Sequence, residues 1–250
     1  MKKHLVVIAL GLWVTSAWAE ALRVGLSPDY PPLAFTEEGR VVGMEADHAT
    51  AVGGILGRPV KLVPMSFEQL LPALQAGEVD VLMSGLSVTA RRSEQVDFTE
   101  PYLLVGQMAI MHRDKIARFA QPWAVFREGV RVGVEPDTTG ADFAARELPD
   151  AAVSFYADPE QAFAALRADR IDLYIHDAPT SWQLANSAEN DDLISTYSPL
   201  TEEMLAWAVR KGNASLQGEL NNALQLMRGN GTLSYIQGRW IPVQVEVKAP

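Results

Sequence analysis

The chain has 250 residues, 48% hydrophobic and 21% charged, with 31 acidic against 21 basic side chains and a formal net charge of −10. That acidic balance opposes nucleic acid or an anionic membrane surface as partner, and the lack of cysteine excludes a disulfide framework and a lipid-modified thiol. A chain of this length buries a sizeable core unaided and divides most readily into two modest domains.

The N-terminus reads as an export signal: Lys2 and Lys3 precede an apolar run from Leu5 to Val14, and Ala17-Trp18-Ala19 is a small-residue cleavage site. The apolar run is about half the roughly twenty residues that span a bilayer. Residues 1–19 are therefore expected to be removed and the mature chain to act in the periplasm. Leu22-Arg23-Val24-Gly25-Leu26, stopped by Ser27-Pro28, predicts a first strand. Helical patterns follow over 44–56 and 67–75, with Ser66 as candidate N-cap of the second. A long apolar run from Leu103 to Met111 leads away from this first unit.

Val130 to Val134 then repeats the opening strand almost letter for letter, ahead of helical patterns over 140–147 and 159–167. Asp158 caps the latter and Pro159 suits its first position. Met204 to Val209 reads as a return strand, and a helix is predicted from Asn213 to Met227. Gly229-Asn230-Gly231 breaks it before a short last helix ending near Trp240, and the tail from Val243 to Pro250 lacks a helical pattern.

Strand alternating with helix predicts an α/β fold of two lobes, each a mostly parallel sheet flanked by helices. Two connecting strands would serve as hinges. The expected division is residues 20–107 with 205–250 in lobe one and 108–204 in lobe two.

An internal echo supports the two lobes. Glu68-Gln69-x-x-x-Ala73-Leu74-x-Ala76-x-x-Val79-Asp80 recurs as Glu160-Gln161-x-x-x-Ala165-Leu166-x-Ala168-x-x-Ile171-Asp172, each copy running into an apolar strand. Asp80 and Asp172 are read as structural. Ligands of open α/β sheets sit beyond the carboxyl ends of the strands. The first copy delivers Ser84-Gly85-Leu86-Ser87-Val88-Thr89-Ala90-Arg91-Arg92 there, with small residues, hydroxyls and an arginine suited to a carboxylate. The second delivers His176-Asp177, an acid suited to an ammonium; strand alternation directs His176 away from that acid. Asp177 is also a candidate cap for the helix that follows. Asp137-Thr138-Thr139-Gly140 adds hydroxyls and N–H groups at a helix start. An anion grip opposite an acid describes a site for a zwitterion, of which an α-amino acid is the simplest.

Ser84-Gly-Leu-Ser-Val-Thr89-x-x-Arg92, followed by Val96-Asp97-Phe98-Thr99-x-Pro101-Tyr102, resembles the signature of the bacterial extracellular solute-binding proteins, family 3. The likeness extends to Gly43-Met44-Glu45-Ala46-Asp47 and Ala208-Val209-Arg210-Lys211-Gly212, and so covers nearly the whole mature chain. It implies a type II periplasmic-binding-protein-like fold, no cofactor, a monomer, and delivery of a small amino acid to the permease of an ABC importer. It also implies roles: Arg92 for the ligand α-carboxylate, with Gly85, Ser87 and Thr139 beside it; Asp177 for the α-ammonium; Tyr30 and Phe67 against the ligand side chain.

Three positions depart from the pattern. Ser27 stands where receptors for basic ligands place an acid, which weakens the case for lysine, arginine or histidine. Asp137 replaces a usual glycine, and Glu45 replaces a usual aspartate, read as structural. Two other functions compete. Cyclohexadienyl dehydratases resemble these receptors but place a glutamate general acid three residues after the aspartate matching Asp177, where this chain has Thr180. A ligand sensor acting in trans is the other. The four histidines lack ligand spacing, so no metal site is expected.

Overall fold

A computed structural model describes residues 20–119, 121–185 and 187–241; the expected export signal at residues 1–19 and the tail from Val243 lie outside the described residues. The chain opens with β1 (Leu22–Leu26), then a small antiparallel meander of β2 (Asp29–Tyr30), β3 (Ala34–Glu37) and β4 (Arg40–Val42). Helix α1 (Met44–Leu56), β5 (Val60–Pro64), α2 (Phe67–Ala76) and β6 (Val81–Leu82) complete two βαβ crossovers. A single helical turn, α3 (Ala90–Ser93), leads into β7 (Val96–Phe98).

The crossover strand β8 (Leu103–Val105) passes to β9 (Gln107–His112) and the short α4 (Ile116–Phe119). Two further crossovers follow: β10 (Arg131–Val134), α5 (Thr139–Glu147), β11 (Ala152–Phe155), α6 (Pro159–Arg167) and β12 (Leu173–Asp177). Helix α7 (Ala178–Ala185), β13 (Leu193–Ser195), the return crossover β14 (Glu203–Leu205), β15 (Ala208–Arg210), α8 (Ala214–Gly229) and α9 (Thr232–Trp240) end the described chain.

These elements make two five-stranded sheets, ordered β5-β1-β6-β15-β7 and β11-β10-β12-β9-β13. In each, the strands joined by helices pair in parallel, β1 with β5 and β6, β10 with β11 and β12. The other two ladders of each sheet are antiparallel, so the expected mostly parallel sheets are mixed. The physical reason is that β9 and β15 arrive through crossovers from the other half of the chain, not through a right-handed βαβ turn. Strand β8 pairs antiparallel with β14, so the two crossings lie side by side as one ribbon.

The echo has a structural cause. Asp80 accepts from the backbone N–H of Arg23 at 2.8 Å and from its guanidinium at 2.6 Å. Asp172 does the same for Arg131, at 3.0 and 2.7 Å. Each aspartate ties the first strand of a sheet to its neighbour, as the structural reading expected. The caps also agree: the Asp158 carboxylate accepts from Gln161 N–H at 2.8 Å, and the Ser66 N–H donates to the Gln69 side chain at 3.2 Å.

Each sheet is covered on both faces. Val24, Val81 and Trp207 pack with Leu220 and Leu224 of α8 on one side of the first sheet, while Leu82 and Val96 meet Leu70 and Leu74 of α2 on the other. In the second sheet Val132 and Leu173 pack with Phe143, and Ile110 and Tyr174 with Phe163. Burial on both faces leaves the strand ends as the place where polar side chains meet.

Candidate functional site

The carboxyl ends of β1 and β6 face those of β10 and β12 across a cleft with about 530 Å³ of empty space, counting the solvent space at its mouth. The seven residues singled out in the sequence, Tyr30, Phe67, Gly85, Ser87, Arg92, Thr139 and Asp177, all line it. Among the other lining residues, the sequence reading had not assigned Asp29, Gln107, Glu135 or His176 to a ligand.

The arginine is held from below. Thr89 caps α3 by accepting the Arg92 N–H at 3.1 Å, which aims the side chain into the cleft. Its guanidinium donates to Ser87 O and, across the cleft, to Asp137 O, both at 3.0 Å, and lies over the Phe67 ring at 5.5 Å. Only 4% of Arg92 is exposed. Burial, helped by Arg91, lowers its pKa from the ordinary arginine value. A guanidinium has five N–H donors, so two carbonyls leave it able to grip an anion.

On the opposite wall, one Asp177 oxygen accepts from the Tyr30 hydroxyl and the other from the Gln107 amide. Burial, and then the nearby Glu203 carboxylate, push the Asp177 carboxyl well above the usual range. A positively charged ligand group would relieve both effects. The helix-cap reading is not the one realised: Ser181 Oγ of α7 bonds the Asp177 carbonyl at 3.1 Å, while the carboxylate faces the cleft.

Thr138 caps α5 by accepting Ala141 N–H at 3.2 Å, and Thr139 Oγ1 accepts from Gln107 at 3.1 Å. Asp137 adopts φ +59°, the left-handed region, which is why a glycine usually stands there; aspartate tolerates it better than most residues. Ser87 Oγ donates to Glu203 at 2.6 Å.

Gly85 sits at φ +63°, and its N–H donates to Glu45 Oε1 at 2.8 Å. Glu45 is fully buried and also accepts from the Tyr102 hydroxyl at 2.5 Å and Trp207 Nε1 at 3.2 Å, with His48 Nδ1 at 3.3 Å. The departure at Glu45 is thus the centre of a buried network that orders the Gly85 loop from behind.

His176, expected to turn away from Asp177, pairs with other residues and still reaches the cleft. It lines the same cleft, with its ring edge-on to Tyr30 at 5.1 Å and Nε2 3.4 Å from Glu135. Alternation does place it on the other face of β12, but the cleft wraps around the strand end and meets both faces. Gln107 was legible as the polar residue opening an apolar strand. Asp29, Glu135 and Glu203 gave no local signal. Among the described residues no group of three or more histidines and acids is poised to hold a metal, and no helix is long and apolar enough to cross a membrane.

The walls also touch directly. Besides the Tyr30–Asp177 and Arg92–Asp137 contacts, Thr180 Oγ1 donates to Pro31 O at 2.8 Å. The two sheets are therefore in a closed arrangement.

Comparison with known proteins places this geometry. Residues 22–243 match the bacterial extracellular solute-binding proteins, family 3. The chain is 28% identical over 249 residues to ABC transporter arginine-binding protein 1 of Escherichia coli, covering 97% of this chain and 100% of that protein. Among solved structures it resembles the ancestral amino acid-binding protein AncCDT-1, a precursor of cyclohexadienyl dehydratase, at TM-score 0.82 and 31% identity, covering 88% of this chain and 95% of that one. A binding component of an ABC transporter from Wolinella succinogenes complexed with lysine aligns at TM-score 0.84 and 26% identity over 92% and 98%. The chain belongs to the bacterial extracellular solute-binding proteins, family 3.

Proposed function

We propose, from that membership and this cleft, that the protein is a periplasmic receptor that closes around a free α-amino acid and hands it to the permease of an ABC importer. The observation that carries this reading is the pair formed by Arg92 and Asp177, a buried guanidinium and a partly buried carboxyl on facing walls of one cleft. Arg92 receives the α-carboxylate, with Ser87 and Thr139 hydroxyls beside it, and Asp177 receives the α-ammonium. Tyr30 and Phe67 flank the side chain, and Gly85 lets the wall approach closely.

Closure follows from electrostatics. With the cleft open, water solvates both charges; with it closed and unliganded, each loses water without gaining an opposite charge. A zwitterion supplies both partners at once, so the ligand itself favours the closed arrangement. The crossover ribbon of β8 and β14 carries the only two chain passages needed for a hinge. On this reading the lobes divide near residues 107 and 205, the chain works as a monomer, and the signal at residues 1–19 directs export.

The enzyme alternative draws on the resemblance to the dehydratase precursor. Against it, the Thr180 hydroxyl is buried and donates to Pro31 O, and a threonine does not act as a general acid at neutral pH. The protein is therefore read as non-catalytic. Thermal denaturation against each of the twenty amino acids at millimolar concentration tests this: a bound ligand must raise the midpoint. No shift with any of them, or conversion of prephenate or arogenate, would reject it.

A further inference from the structure

Once Arg92 and Asp177 are assigned to a zwitterion, the cleft retains two acids with no further lysine or arginine among the lining residues. Asp29 and Glu135 line the same cavity, from the β1 side and the end of β10. Arg92 is the one basic side chain of permanent charge among the lining residues, against the carboxylates of Asp29, Glu135 and Asp177. The site's existence does not rest on these acids, since the two α-group partners define it without them.

Glu135 is the more enclosed, with 16% of its side chain exposed. It accepts from the Tyr174 hydroxyl and lies 3.4 Å from His176 Nε2. Those neighbours orient the carboxylate. His176 Nδ1 is buried with no hydrogen-bond partner among the described residues, so the ring meets Glu135 through Nε2. Ser27 Oγ donates to Asp29 Oδ1 at 2.6 Å, aiming Asp29 at the rim of the cleft. Asp29 and Glu135 thus line the same cleft from its two walls.

We infer that Glu135, with Asp29 at the rim, is the specificity-determining pair for the ligand side chain and selects one that carries a positive charge. This rests on the reading of the cleft as an amino-acid site and names its ligand class as a basic α-amino acid. It also reverses the inference drawn from Ser27. The acid absent at position 27 is supplied two residues later, held by Ser27 itself, and again from the opposite wall. A neutral side chain would leave the largely enclosed Glu135 carboxylate uncompensated in the closed cleft, whereas a side-chain cation neutralises it and is drawn by Asp29 at the rim.

Calorimetry with matched pairs tests it: L-arginine against L-citrulline, and L-lysine against L-norleucine. Each basic member is expected to bind about tenfold or more tightly than its uncharged counterpart. Glu135→Gln should shrink that ratio to roughly threefold or less, by weakening the basic member and strengthening the uncharged one. The glutamine keeps an acceptor for the Tyr174 hydroxyl, and Asp29→Asn, at an exposed position, gives a second variant whose smaller loss of discrimination does not depend on the core. Equal binding within each pair, or an unchanged ratio in Glu135→Gln, would overturn the inference and leave the amino-acid reading standing. Failure of every amino acid, charged or not, to bind would remove both.

Discussion

Asp177→Asn separates two effects that a binding site ordinarily mixes. The substitution removes the charge offered to the ligand ammonium and keeps a side chain of the same shape between Tyr30 and Gln107. An ammonium and a carboxylate about 4 Å apart attract by about 4 kcal/mol at an effective dielectric near 20. Part of that is offset by the burial that pushes Asp177 upward, so a loss of about 3 kcal/mol, or roughly 150-fold in affinity, is expected. The closed unliganded arrangement should move the other way. Because the closed-state pKa of Asp177 is raised, its favourable contribution is complete below the solvated carboxylate value of about 3.9 and is lost as pH rises through the shifted value. The asparagine variant lacks that loss. Small-angle scattering without ligand should show it more compact than wild type at pH 7 and alike at pH 4, while calorimetry shows the weakened binding. Wild-type affinity in the variant, or a compactness difference that does not change with pH, would refute the reasoning.

Two further outcomes probe the support behind the site. Glu45→Ala strips the common acceptor from Gly85 N–H, the Tyr102 hydroxyl and Trp207 Nε1; at about 1–3 kcal/mol for each buried donor left unsatisfied, a loss of about 3 kcal/mol or more is expected. Urea unfolding within about 1 kcal/mol of wild type would contradict the hub. Gly85→Ala forces a Cβ to 2.6 Å from Leu33 Cδ1 and 2.7 Å from Tyr30 Cε1 at φ +63°. The side chain's strain and the displaced ring together should lower stability by about 2 kcal/mol or more and weaken amino-acid binding measured by calorimetry. Unchanged unfolding and binding would mean that the wall behind the glycine yields freely.

What the chain's local chemistry determines is extensive. Helix α1 spans 44–56 and α6 spans 159–167 as their patterns predict, because apolar spacing, Asp158 and Pro159 act within a few residues of the helix they start. The echo of Asp80 and Asp172 betrays two sheets built alike, since each aspartate repeats the same strand-to-strand bond. The long motif around Arg92, read as a resemblance, gathered seven residues that do line one cleft. Only the tertiary structure decided what those residues face. Tyr30 meets Asp177 from 147 positions away, Ser87 meets Glu203 from 116, and the Gly85 N–H turns back to Glu45. Such pairings arise where two sheets close on each other, so no local pattern records them. The same holds for charge: Ser27 alone spoke against a basic ligand, but Glu135 and Asp29 enter the balance only when the second wall comes to stand opposite the first.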